Sequence, residues 1–234
     1  MVQTYRKFDR VRGRSAFAVD LDNFNTYNAN KWIATGTGTP AAALGTNGGL
    51  NLVTSAAGGD KTAIQRGIET AATKLENVAF RKGRKFNLIA RVEHVDFAGF
   101  GLFFGLSPIN ANPDTVPVAG IALLPTGVTV TYNGKTVSNP DITPVSLRDK
   151  LGGIDFEIYW DGQRSIHFFA GGQRVGGFRL ASTDFNAQSQ VIGLLANYAV
   201  SLAVLNAGTA VARTVAVRTI GSAVQLRPDV GVPT

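Results

Sequence analysis

The chain has no cysteine, a single methionine, two histidines and two tryptophans in 234 residues. Without cysteine there is no disulfide framework, no thiolate metal site and no thiol nucleophile, so stability must come from burial. Two histidines, His94 and His167, exclude a multi-histidine metal centre. Charge is also scarce: Asp, Glu, Lys and Arg make up 17% of the residues, against roughly a quarter in ordinary domains. No apolar run approaches the ~18 residues of a membrane span, and the first ten residues lack the apolar core of a secretion signal. We therefore expect a chain made in a cytosol, with no membrane partner.

What is abundant is glycine, with 27 residues, which suits many tight turns. The net charge of +7 is unevenly placed. Arg6, Lys7, Arg10, Arg12 and Arg14 stand against Asp9 alone, a net +4 in the first fourteen residues. Charge concentrated in this way suggests an arm reaching an acidic partner surface rather than a folded nucleic-acid face. No aromatics interleave with the basic run as base stacking would require, so no direct nucleic-acid binding is expected.

Residues 153–180 fix the fold class. Ile154, Phe156, Ile158 and Trp160 alternate with Asp155, Glu157 and Tyr159, the period of a strand with one buried face. Asp161-Gly162 reads as a turn pair, a second apolar segment follows, and Gly171-Gly172 turns the chain into Val175–Leu180. Three antiparallel strands form a meander. The same reading places strands at 17–21, 31–35, 49–54, 61–66, 85–94, 97–106, 118–124, 128–132, 135–137, 190–197, 200–205 and 212–220. In the last of these Val215, Val217 and Thr219 share a face. Residues 36–49 read as loop or weak edge strand, 139–153 as loop, and 68–79 as the one stretch with any helical pattern. The segment 97–106 is apolar on both faces, so it lies inside a sandwich or under another subunit. The expected fold is all-β: a two-sheet antiparallel sandwich over residues 17–226, preceded by a basic arm, 1–16, and followed by a tail, 227–234.

Asp155 and Glu157 are the best acid pair. Two residues apart on a strand, they stand about 6.5 Å from one another, inside the ~5 to 9.5 Å used in glycoside hydrolysis. The wet side of any amphipathic strand supplies such a pair, and no catalytic residue is assigned. Asp20, Asp22, Asn23, Asn25 and Asn28 offer oxygen ligands for calcium without a defined loop pattern, while Glu93, His94 and Asp96 point to opposite sides of a strand. No metal or cofactor is expected. The glycine pairs precede no helix and cradle no phosphate. Arg81, Lys82, Arg84 and Lys85 read as a solvated turn before the long strand, with partner binding as the alternative. For sugar stacking the candidates are Tyr27, Trp32, Tyr132, Tyr159 and Tyr198.

The run Phe156-Glu-Ile-Tyr-Trp-Asp-Gly162, followed by Ile166-His-Phe-Phe-Ala-Gly-Gly-Gln-Arg-Val-Gly176, resembles the late hairpin of concanavalin A-like and laminin G-like jelly rolls. Phe103–Ser107, Gly120–Leu123 and Leu202–Ile220 fit the same strand order. The Glu-x-Asp-x-x-Glu strand of glycanases with this fold is absent, so no catalytic role carries over. With the basic arm and without cysteine or a secretion signal, the chain is similar to the decoration, or cement, proteins of tailed-bacteriophage heads. That resemblance implies a non-enzymatic virion protein, a homotrimer bridging major capsid protein subunits on the capsid surface and made in the host cytoplasm. Its partner-binding residues would be Arg6, Lys7, Arg10, Arg12 and Arg14 of the arm, with Phe97, Phe100 and Phe103. A carbohydrate-binding, lectin-like module or a tail-associated glycan-binding protein is the alternative.

Overall fold

The computed structural model describes residues 17–37, 41–46, 48–66, 82–93, 99–108, 112–115, 117–185, 198–208 and 210–225. The arm, His94, Phe97, the helical stretch 68–79, the strand 190–197 and the tail fall outside these residues. Within them the chain forms fifteen strands. They are β1 (Phe17–Asp22), β2 (Trp32–Gly36), β3 (Ala41–Leu44), β4 (Leu50–Val53), β5 (Lys61–Arg66), β6 (Phe86–Glu93), β7 (Phe100–Ser107) and β8 (Ala119–Leu124). There follow β9 (Gly127–Tyr132), β10 (Lys135–Asn139), β11 (Gly153–Trp160), β12 (Ser165–Ala170), β13 (Gln173–Arg179), β14 (Ala199–Asn206) and β15 (Thr214–Gln225).

Two antiparallel sheets result. One has the order β13-β12-β11-β6-β15-β4-β3, with β1 also on β15; the other runs β10-β9-β8-β7-β14-β5-β2. The long β15 lies along β6 on one side. On its other side Thr214–Val217 pair with β4 and Ile220–Gln225 with β1. β6 pairs with β15 in one sheet and β7 with β14 in the other, so the middle of each sheet joins segments distant in the chain. This is a jelly roll of two layers closed over one core.

The core follows the alternation read from the sequence. Phe86, Leu88, Ala90 and Val92 of β6 meet Ile154, Phe156, Ile158 and Trp160 of β11 in one buried cluster with Phe100, Leu102, Phe104 and Leu106 of β7. Phe104 and Phe156 touch across the two sheets, ring centroids 6.0 Å apart. Each fully buried aromatic of this kind contributes about 1.5–3 kcal/mol through area removed from water.

Two local features depart from the sequence reading. A bulge at Arg218 shifts the register between Val217 and Thr219. It turns Ile220, not Thr219, into the core beside Val215 and Val217, because one extra residue inverts the alternation. Residues 139–153 hold a helical turn, Pro144–Leu147, started by the Thr143 hydroxyl and Pro144. The stretch 36–49 contains β3, a largely exposed edge strand, which agrees with the edge-strand reading of that segment.

Turn chemistry sorts the two hairpins of the meander. Gly171 and Gly172, at φ +56° and +80°, make a two-residue turn closed by Ala170 and Gln173. Asp161 and Gly162 do not form such a turn: the last pair is Trp160 with Ile166. Instead the Asp161 carboxylate accepts the backbone N–H groups of Gln163, Arg164 and Ser165 at 2.7, 2.9 and 3.0 Å, organising a longer loop. Asn133-Gly134, by contrast, is a two-residue turn with both φ positive.

Candidate functional site

The residues of β11 and β12 that point away from the core meet on the outer face of the eight-stranded sheet. The register sets Tyr159 opposite His167 and Glu157 opposite Phe169. Across β6 the same rows continue to Asn87 and Ile89. Tyr159 and His167 are stacked at 6.1 Å with an interplanar angle of 20°, and His167 lies 6.4 Å from Phe169. All three rings are half-buried. They form a short aromatic row of the kind that takes the flat apolar face of a ligand while polar neighbours fix its orientation.

Those neighbours are held in place. Asn87 donates to Glu157 Oε1 at 3.1 Å, and Glu157 is only 5% exposed. The other Asn87 side-chain atom, Oδ1, is buried without a hydrogen-bond partner. Arg91 reaches Asp149 at 2.8 Å, Asp155 at 3.5 Å and Glu93 at 3.7 Å, and Arg218 closes on Glu93 at 2.7 Å. Burial alone would raise the Asp149 pKa, but the Arg91 hydrogen bond and the N–H groups of Gly153 and Leu151 hold it below the ordinary range. His167 is pushed down, first by desolvation and then by the charge of Arg174, with Asp161 opposing. Desolvation and the Arg174 charge both favour the neutral imidazole.

The acid pair read from the sequence thus lies on this face with each member engaged, Asp155 by Arg91 and Glu157 by Asn87. Of the five proposed stacking aromatics only Tyr159 lies on the outer face of a sheet. Trp32 is buried with its indole N–H on Asp22 Oδ2 at 2.9 Å, and Tyr27 donates its hydroxyl to the Trp32 carbonyl. Tyr132 is in the core, where burial raises its hydroxyl pKa, and Tyr198 packs against the core.

The oxygen-rich segment after β1 is also committed. Lys31 lies 3.2 Å from both Asp20 and Asp22, Arg66 pairs with Asp20, and Asp22 accepts the Phe24 N–H at 2.9 Å. Its carboxylates answer side chains of their own chain.

Two proposed partner residues need correction. Phe100 is 1% exposed within the inter-sheet core, and Phe103 is 1% exposed on the other side of β7, against Ala63 and Ala203. The chain itself buries both rings, which removes them from any contact surface. β7 is apolar on both sides because it is a central strand.

Sequence reasoning missed His167 and Phe169 as partners of Tyr159. The signal was present: Ser165, His167 and Phe169 alternate with Ile166, Phe168 and Ala170. Treating the segment as uniformly apolar hid its outward half.

No family model matches the chain, and no curated protein matches it by sequence. Its fold is similar to that of peanut lectin, at 12% identity and a TM-score of 0.55, covering 90% of this chain and 98% of the lectin. It is also similar to a glycoside hydrolase family 16 endo-glucanase from Bacteroides ovatus, at 11% identity and a TM-score of 0.54, over 87% and 99% of the two chains. The carbohydrate recognition domain of Emp47p aligns at 12% identity and a TM-score of 0.51, over 86% and 92%. At such identities the likeness is one of fold. The chain has the concanavalin A-like jelly roll shared by these lectins and family 16 glycoside hydrolases.

Proposed function

We propose that this chain is a carbohydrate-binding, lectin-like module that binds without cleaving, its ligand lying on the outer face of the eight-stranded sheet. The observation that carries the reading is the Tyr159–His167–Phe169 row, with stacked and tilted rings 6.1 and 6.4 Å apart. A pyranose presents C–H groups on one face, which suit an aromatic surface, and hydroxyls at its edge, which suit carboxylates and amides. The relatedness of the fold to lectins adds support only by analogy, since one fold hosts many functions. A glycan array read with wild-type protein, Tyr159→Ala and His167→Ala tests it. Wild type gives hits that both variants lose while their thermal unfolding stays cooperative. An array blank for folded wild type would sink the reading.

A second reading, a capsid decoration subunit acting as a homotrimer on the major capsid protein, is favoured by a different observation. Val19 and Leu21 are 55% and 41% exposed on β1, which directly follows the basic arm. Apolar contact beside a cationic extension suits docking on an acidic shell, with the arm ordering as it binds. Co-sedimentation with capsid shells, for wild type and a variant lacking residues 1–16, checks this. Retention of wild type alone supports it, and equal loss of both in the soluble fraction counts against it.

A further inference from the structure

The outer face of β13 adds charge to the aromatic row. Its register sets Arg174 beside Phe169, Gly177 beside His167 and Arg179 beside Ser165. The Arg174 guanidinium folds over Gly177, where a Cβ would come within 2.7 Å of Nη2, and its Nε donates to the Gly176 carbonyl at 3.4 Å. Only glycine at 177 leaves this place, next to His167, for the guanidinium. Arg179 is exposed at the other end of the strand, and exposed Arg164 joins it from the β11–β12 loop. Among the described residues none of these three arginines makes an ion pair.

The acids that face the row are already engaged. Asp161 accepts three backbone N–H groups, and Glu157 is buried on Asn87 at the β6 side. The row is therefore flanked by uncompensated cations along β13 and by satisfied acceptors along β11. Arg174 and Arg179 stand opposite residues four apart on β12, a separation of about 13 Å along the strand. That exceeds one sugar ring.

Resting on the glycan-binding reading, we infer that the ligand is an anionic oligosaccharide, carboxylated or sulfated, stacked on Tyr159, His167 and Phe169 with its acid groups on Arg174 and Arg179. The planar guanidinium matches carboxylate and sulfate oxygens in two-point contacts. Neutral sugars would use the rings and leave the arginines in water.

Isothermal titration with an oligogalacturonate, a sulfated oligosaccharide and a neutral oligosaccharide of equal length tests this. At least one anionic ligand binds about tenfold or more tightly than the neutral one, and Arg174→Ala and Arg179→Ala each remove about tenfold of that preference. The two anionic arms tell carboxylate from sulfate. In parallel, the His167 resonance, assigned with His167→Ala, titrates at higher pH in the anionic complex than in free protein, because a bound anion favours the imidazolium. Equal affinity for all three ligands, or arginine variants that aggregate while binding unchanged, makes the arginines guards of an exposed edge and overturns the inference while leaving the glycan reading intact. Failure of every saccharide to bind folded wild type removes the glycan reading itself.

Discussion

The outer faces of the two sheets are built from opposite materials. On the seven-stranded sheet Phe103, Ala63, Ala203, Gly105, Gly120 and Ser201 lie in adjacent rows. A Cβ at Gly120 would meet the Phe103 ring at 2.4 Å, so the ring lies across the strand beside it. The polar groups there close on one another. Gln65 Nε2 donates to Ser201 at 2.9 Å, Ser107 at 3.1 Å and the Pro108 carbonyl at 2.9 Å, and its Oε1 accepts from Thr35 at 3.1 Å. On the eight-stranded sheet the corresponding positions hold Tyr159, His167, Phe169, Arg174 and Arg179; the three rings are half-buried, and among the described residues the two arginines make no ion pair. A face whose small residues and hydrogen bonds are internally satisfied serves the fold. One that carries half-buried rings, and arginines without an ion pair among the described residues, is the face we propose for a ligand.

Substitutions can break this contrast, and the largest effect belongs to the satisfied face. Phe103→Ala should lower stability by about 3–5 kcal/mol, since the site cannot refill the lost ring; thermal unfolding measures it, and glycan affinity of the folded fraction stays unchanged. Gln65→Leu removes the donor to Ser107, Ser201 and the Pro108 carbonyl and the acceptor for Thr35, leaving the two serine hydroxyls only each other and the Ala199 carbonyl, and should cost about 1–3 kcal/mol in urea unfolding. On the other sheet, Tyr159→Ala should cost under about 1 kcal/mol of stability yet abolish glycan binding, the reverse of Phe103→Ala. Asp149→Asn gives the smallest effect, under about 1 kcal/mol. Because Asp149 titrates below its unfolded value, its contribution is present above about pH 4 and fades as pH falls through the folded pKa. Wild type and variant therefore differ at pH 7 and converge as acid protonates Asp149.

Alternation made the core legible in the sequence: Ile154, Phe156, Ile158 and Trp160 point inward as their period requires, and so do the alternate residues of β6. Positive φ made Asn133-Gly134 and Gly171-Gly172 legible as turns. At 171 the reason goes beyond φ, because a Cβ would also stand 2.2 Å from the Leu147 carbonyl. That contact joins segments distant in sequence and leaves no local mark. The bulge at Arg218 was hidden for a similar reason: Thr219 fits the two-residue period locally, and only pairing with β6 reveals the extra residue. The candidate site was half legible. Tyr159, Asp155 and Glu157 stand out on one strand, but their engagement by Arg91 and Asn87, and the approach of Arg174 over Gly177, require register across four strands.

The central claim is that ligand meets the chain at the β11–β12 face and not at the opposite sheet. An NMR titration with an anionic oligosaccharide locates that contact directly. The account predicts shifts centred on Tyr159, His167, Phe169 and Gly177, with Phe103, Gly120 and Thr129 unmoved. Shifts centred on those last three, or none anywhere at saturating ligand, would contradict it.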